Sequence, residues 1–238
     1  MDLQKLFFNE TSIKEKIFSL DSQSVISIQD DFFTTSAVLF TLVPHEQKPY
    51  ELVLIHRANK GTRHRGEMSF PGGKFDPKLD ISLKDTALRE CEEEIGVPRD
   101  EIKIIGRLND FPTMTQFIIS PFIGVINKDQ ELVRDQREVQ EIIKVPINFF
   151  IEKKNFRETT MDFGGKPFPV FFFNYEANHK NYMIWGATAF MIVTFIEMVY
   201  NHAISDLGLR RFTLEEIKPL KDYILSREEF DNHLENHK

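Results

Sequence analysis

Apolar residues fall into two rhythms along this 238-residue chain. Compact apolar runs at 36–43 (SAVLFTLV) and 51–56 (ELVLIH) predict buried strands, with the Pro-bounded stretch 44–49 as the turn between them. Residues 102–108, 117–119 and 122–126 read as further strands, and 168–175 (FPVFFFNY) as another. Residues 138–144 lead into Val145-Pro146-Ile147 and a short helix. Helical spacing marks 82–95, where Ala87, Cys91 and Ile95 recur at i, i+4 and i+8 as a buried stripe. Ser82 with Asp85 three residues on suits the helix start, and Gly96 followed by Pro98 suits its stop. The run 187–200 (ATAFMIVTFIEMVY) predicts a helix buried on most sides. Leu3, Leu6, Phe7, Ile13, Ile17 and Phe18 suit one amphipathic helix or a broken pair. Residues 204–238 are polar and weakly periodic, with an end expected to be partly disordered. Strands, a helix, more strands and a second helix predict a mixed α/β (α+β) fold, one mixed sheet between helices.

Composition changes this picture little. Hydrophobic residues at 41% and charged residues at 28% describe a soluble globular protein, and the 23 phenylalanines fall mostly in strand-like runs as core filling. The net charge of -7 argues against non-specific binding to a nucleic-acid backbone. No apolar run approaches the roughly 18 residues that span a bilayer. The N-terminus has no secretory pattern and the C-terminus no retrieval address. The single cysteine excludes an intramolecular disulfide and fits a reducing compartment, so a cytoplasmic location is expected. Cys91 itself falls on the buried stripe among acidic neighbours and reads as a core residue rather than a reactive thiol.

The candidate chemistry lies between Gly72 and Val97. On a helix, Glu90, Glu93 and Glu94 fall within an arc of roughly 100°, while Glu92 points almost the opposite way. Three carboxylates on one face repel each other, which suits a hard cation; the alternative is a solvated acidic face. Gly72-Gly73 permits backbone conformations closed to other residues. Just upstream, the basic loop 57–65 carries Arg57, Arg63, His64 and Arg65. These either bind phosphate through guanidinium forks or lie on an exposed loop. No Cys/His set has zinc spacing.

The segment Arg89-Glu90-Cys91-Glu92-Glu93-Glu94-Ile95-Gly96-Val97 resembles the R-E-U-x-E-E-x-G-U half of the Nudix box, where U is an aliphatic-type residue. In the first half of that pattern the consensus glutamate falls on Ile81 and the consensus glycine on Phe75. The loop after Gly73 is therefore two residues longer, with Asp76 and Asp80 in it. The flanks resemble the coenzyme A pyrophosphatase branch of the Nudix hydrolases. Leu54-Ile55-His56-Arg57-Ala58 is similar to L-x-x-R-S/A, and Gly66 to Gly73 fits G-x-x-x-F-P-G-G. Asp80 stands nine residues before Arg89, as that branch has it. Thr62 stands where the branch carries an arginine, with Arg63 beside it. Ser120 to Val125, Glu138-Val139 with Val145-Pro146, and Ile184 to Ala189 (IWGATA) are similar to three further elements of the branch.

The resemblance implies a Nudix-type α/β/α sandwich over residues 31–203, a helical extension at 1–30 and a polar extension at 204–238. It implies a pyrophosphohydrolase dependent on Mg²⁺ or Mn²⁺, cleaving coenzyme A or acyl-coenzyme A to 3',5'-ADP and (acyl-)phosphopantetheine. Glu90 and Glu94 are then the principal metal ligands, with Glu93 as a third ligand or the group that orients water. Gly73 would offer its carbonyl to the metal, and Arg89 would brace the loop within the catalytic set. Glu138 is the candidate general base, against a surface acid. Trp185 and Thr188 are read as packing residues. The partner implied is a small nucleotide-type substrate, with no nucleic acid or membrane. The N-terminal segment could cover a core edge, form a homodimer contact or shape an acyl-binding wall. Two other readings stay open. One is hydrolysis of NADH, ADP-ribose or a nucleotide sugar. The other is a non-catalytic ligand sensor, which retention of the three helix glutamates argues against.

Overall fold

The computed structural model describes residues 3–58, 66–163, 166–209 and 212–235. Strand β1 (Thr34–Val43) is the spine of a mixed sheet. It pairs antiparallel with the start of β2 (Glu51–Arg57) at its C-terminal end, and β3 (Met68–Ser69) pairs antiparallel with the end of β2 at Ile55 and His56. The N-terminal half of the same β1 edge pairs antiparallel with β4 (Gly72–Lys74). The other edge carries β7 (Phe117–Val125) in parallel, followed by β5 (Lys103–Arg107) and β6 (Phe111–Pro112). Finally β8 (Val139–Pro146) joins β2.

The alternation of β1 and β2 decides the layers. Ala37, Leu39, Val43, Val53 and Ile55 face the helix α2 (Leu83–Ile95), together with Ala87, Cys91 and Ile95. Phe40, Leu42, Leu52 and Leu54 face the opposite way, toward α4 (Gly186–Tyr200). Successive strand residues point to opposite faces, so two apolar sets on one strand require cover on both sides. The result is the expected mixed α/β architecture, an α/β/α arrangement around a mixed sheet.

Residues 117–125 form one strand where two, at 117–119 and 122–126, were expected. Pro121 lacks an amide hydrogen and ordinarily interrupts a ladder. Here it pairs with Val38 of β1 at the point where β7 changes its other partner, from Phe111–Pro112 to Lys103–Arg107. Its carbonyl still accepts from the Leu108 amide at 3.0 Å.

A second sheet lies outside the single sheet expected. Strands β9 (Phe156–Phe163), β10 (Lys166–Ala177) and β11 (Lys180–Trp185) form an antiparallel sheet in the order β11-β10-β9. The helix α4 is caught between the sheets, which explains its apolar character all round. Phe195 meets Phe40 of the main sheet at 4.7 Å, and Phe190 meets Phe168 and Phe171 of the second at 5.9 Å.

Both ends of the chain pack on this body. The N-terminal segment is the broken pair, a 3₁₀ turn Leu3–Leu6 and α1 (Glu10–Lys14), and it buries Leu6, Ile13 and Ile17. The Ile26 and Ile28 amides donate to Asn109 and Asp110. A short helix α3 (Ile147–Ile151) follows β8. The polar C-terminal segment forms α5 (Ile217–Glu235), started by a Thr213–Glu216 capping box. It buries Ile217, Leu220 and Ile224, and Lys221 pairs with Asp30 at 2.9 Å.

Candidate active site

Three buried residues, Ala87, Cys91 and Ile95, seat α2 on the sheet, and that seating turns the Glu90–Glu94 face toward β4. The helix starts on Ser82, whose Oγ accepts from the Asp85 amide at 3.2 Å, and stops on Gly96 at φ 72°. Cys91 is fully buried; burial pushes its thiol well above the usual range, and Glu94 and Glu92 push it further. It is a core residue.

The glycine pair matters for close approach. A Cβ on Gly72 would lie 2.4 Å from the Ala37 carbonyl oxygen and 2.7 Å from Val38 Cα. A Cβ on Gly73 would lie 2.3 Å from the Glu90 carboxylate carbon. The first glycine therefore lets β4 lie on β1, and the second lets the Glu90 carboxylate lie against the β4 backbone.

Arg89 holds the lengthened loop. Its Nε donates to Asp80 Oδ1 at 2.8 Å and its Nη2 to Asp80 Oδ2 at 2.9 Å and the Lys74 carbonyl at 3.1 Å. Its Nη1 donates to Glu90 at 2.7 Å and Glu93 at 3.1 Å. A guanidinium has five N–H donors, and these five contacts occupy them. Ile81, at the consensus glutamate position, is 95% exposed, so Asp80 has taken over the bond to the arginine. The Asp80 amide and carboxylate also close the loop on Asp76, and Thr86 Oγ1 donates to Asp80 at 2.9 Å.

The Arg89–Asp80 pair is buried, and removing one partner strands the other charge. Asp80→Ala is expected to lower unfolding stability by about 3–5 kcal/mol, read as a fall in the urea midpoint. The Arg89 bonds hold the Asp80 carboxyl from its ordinary 3.8 down to about 2. The unfolded chain thus binds that proton more tightly. The pair's contribution is full above the unfolded pKa and is lost as pH falls through about 2.

Glu94 is the buried acid of the set. Its Oε2 accepts from the Gly72 amide at 2.8 Å and its Oε1 from Arg57 at 3.1 Å. Burial nevertheless wins over Arg57 and the Gly72 amide, and its pKa is pushed up to about 8. Burial also raises the Glu90 pKa, against the pull of Arg89. Glu93 is exposed. Among the described residues, no three His, Cys, Asp or Glu side chains stand gathered as a ligand set, and Arg89, Arg57 and the Gly72 amide engage the three glutamates. The donors nonetheless suit a hard cation. They are oxygens only, one carboxylate lies in a cradle that a Cβ would fill, and burial disfavours the Glu94 charge unless more positive charge arrives.

Beside this face lies a cleft of about 700 Å³, which Glu90, Glu93 and Glu94 do not themselves line. Arg57, Glu67, Gly72, Gly73, Lys74 and Glu138 line one part of it. Glu138 is exposed, and its carbonyl accepts from the Ala58 amide at 2.8 Å. Arg57 reaches the cleft from the end of β2. Arg63, His64 and Arg65, with Thr62, lie outside the described residues.

A family model for the NUDIX domain matches residues 33–159. The chain belongs to the Nudix family. Nudix hydrolase 15, mitochondrial, of Arabidopsis thaliana is 29% identical over 69% of this chain and 58% of its own length. An uncharacterised Nudix hydrolase, NudL, of Photorhabdus laumondii is 31% identical over 63% of this chain and 79% of its own. The chain thus spans less than two thirds of the Arabidopsis relative. A MutT/nudix family protein of Enterococcus faecalis superposes with a TM-score of 0.45 at 16% identity, covering 85% of this chain and 77% of that one. Nudix enzymes act on a pyrophosphate bond between a nucleoside and another group, and generally use divalent cations such as Mg²⁺ or Mn²⁺. Among the described residues no helix is long and apolar enough to cross a membrane.

The Nudix face was visible in the sequence, whereas much of the cleft wall was not. Trp185 is 43% exposed, lines the cleft and packs with its ring parallel to Phe172 at 6.2 Å. Thr188 is buried, as expected, and its Oγ1 donates to the Met68 carbonyl at 3.1 Å. Ser69 also lines the cleft, and its buried Oγ has no hydrogen-bond partner among the described residues. The exposed Trp beside a Phe-rich strand was the one available signal for this wall.

Proposed function

We propose that this Nudix domain hydrolyses the pyrophosphate bond of coenzyme A or acyl-coenzyme A, releasing 3',5'-ADP and (acyl-)phosphopantetheine. The observation that carries the reading is the α2 carboxylate face, held by Arg89 and Asp80 against Gly73, beside a cleft walled by the branch-like segments. Those segments are Gly66 to Gly73 and Trp185 to Thr188. Glu90 and Glu94 hold Mg²⁺ or Mn²⁺, with Glu93 as a further ligand or water-orienting group and the Gly73 carbonyl beside them. The bound cation supplies neutralisation of phosphoryl charge and a lowered pKa for water.

The chain's own residues do the rest. Arg89 positions Glu90 and the loop and leaves no N–H for substrate. Glu138, at the cleft rim, takes the proton of the attacking water. Arg57 holds a phosphoryl oxygen, and Arg63, His64 and Arg65, outside the described residues, are further candidates for that role. The location is cytoplasmic, and a homodimer contact through the N-terminal segment falls to the exposed Leu3 and Leu20, since Leu6, Ile13 and Ile17 are buried in the core.

Cation binding requires the Glu94 proton to leave. Mg²⁺ affinity is therefore expected to rise with pH up to about 8, with a proton released on binding. Calorimetric titrations in buffers of different ionisation enthalpy measure that proton; heats that do not vary with buffer contradict it.

A second reading, hydrolysis of NADH or ADP-ribose, draws support from Thr62, which stands where the coenzyme A branch carries an arginine. Initial rates with Mg²⁺ on coenzyme A, NADH and ADP-ribose decide between them. The proposal expects coenzyme A to have the highest kcat/KM. Cleavage of only the other two sinks it.

A further inference from the structure

The cleft is divided in composition as well as in space. Its charged lining, Arg57, Glu67, Lys74, Arg137 and Glu138, comes from within residues 33–159, the part matched by the family model. About half of its apolar lining comes from beyond that part, including Met161, Phe168, Val170, Phe190, Phe212 and Leu220. Those residues belong to the second sheet, α4, the segment before α5, and α5 itself. Phe111 joins them from the main sheet, 4.5 Å from Phe190 and 5.4 Å from Phe212. Phe168 meets Phe212 at 4.8 Å. Leu220 is 1% exposed and Phe212 8%, so the C-terminal segment forms a wall rather than an open rim.

We propose that this apolar region is an acyl-chain subsite, which makes the enzyme selective for coenzyme A thioesters of a hydrocarbon chain over free coenzyme A. The inference rests on the coenzyme A reading above. Apart from the weakly accepting Met161 sulfur, these side chains offer no hydrogen-bonding group. An adenine edge or a pantetheine amide placed among them would lose water without replacement, which is unfavourable. A hydrocarbon has nothing to satisfy and gains from every methylene buried. Arg57, Gly72 and Gly73 line the same cleft and lie against Glu94 and Glu90, so one ligand can place a pyrophosphate beside the glutamates and its chain end against Phe212 and Leu220. Trp185 lines the same cleft and is the only tryptophan in the chain, so it reports on occupancy.

The test measures kcat/KM with Mg²⁺ for free, acetyl-, octanoyl- and dodecanoyl-coenzyme A, below their micellar concentrations. The wild-type protein should gain roughly threefold to fourfold per buried methylene until the chain meets the end wall. Leu220→Phe, which narrows that end, should move the optimum to shorter chains. Phe212→Ala, which opens it, should move the optimum to longer ones. Opposite shifts from two substitutions in one wall cannot come from general misfolding. A wild-type profile flat to within about twofold from acetyl to dodecanoyl overturns the subsite. If no coenzyme A ester is cleaved, the functional reading has failed, and the subsite is judged by Trp185 fluorescence with dodecanoyl-pantetheine, which has no pyrophosphate. A saturable change absent with acetyl-pantetheine supports the subsite, and no change overturns it.

Discussion

Glu94→Gln leaves the protein folded and lowers turnover by roughly 10²–10³, the scale of losing one preorganised electrostatic contact to the reaction. Glutamine matches glutamate in shape, and its side-chain oxygen can still accept from the Gly72 amide that now reaches Glu94 at 2.8 Å. Because burial raises the Glu94 pKa to about 8, the cation-free protein near pH 7 already carries this side chain mostly neutral. The amide imitates that form, so the melting temperature without added cation should stay within a degree or two. What disappears is the negative charge that appears when a cation binds. Thermal melts with and without Mg²⁺, beside turnover, separate the two effects. Wild-type turnover in the variant, with Mg²⁺ present, removes Glu94 from the proposed ligand set.

Gly73→Ala should lower turnover about as far, also without unfolding the domain. The added Cβ meets only the end of a flexible side chain, the Glu90 carboxylate 2.3 Å away, which can swing aside at little cost in stability. Swinging aside takes a proposed ligand out of place, and misplacement by about 1 Å costs on the order of a hundredfold in rate. Gly72→Ala makes the internal control. Its Cβ meets backbone, the Ala37 oxygen at 2.4 Å, which cannot move without opening the β1–β4 pairing. The pair of variants should therefore differ in kind, Gly73→Ala in activity alone and Gly72→Ala in both stability and activity. Equal losses of melting temperature in the two would show that Gly73 serves the fold rather than the site.

The main sheet and its two covering helices were legible because their signals are local. Apolar runs, a Ser82 cap and a Gly96 stop need no distant partner. The helix face was legible for the same reason, since the bearing of Glu90, Glu93 and Glu94 follows from helical geometry alone. Their partners were less so. Asp80 stood out by its spacing from Arg89, but its burial and the exposure of Ile81 depend on how the long loop closes on Asp76. The second sheet was the larger omission. Strand β9 reads FRETTMDF and β11 reads KNYMIW, polar enough to pass for loop, and they become strands by pairing with the apolar β10 between them. Likewise Ile217, Leu220 and Ile224 are sparse in a polar stretch, and only the tertiary fold shows that α5 walls the cleft.

Chromatographic identification of the products formed from coenzyme A tests the central claim most directly. With Mg²⁺ or Mn²⁺ present, the account predicts 3',5'-ADP and 4'-phosphopantetheine in equal amounts, and neither when the cation is chelated. Intact coenzyme A under every cation, or release of the 3'-phosphate alone, would contradict it.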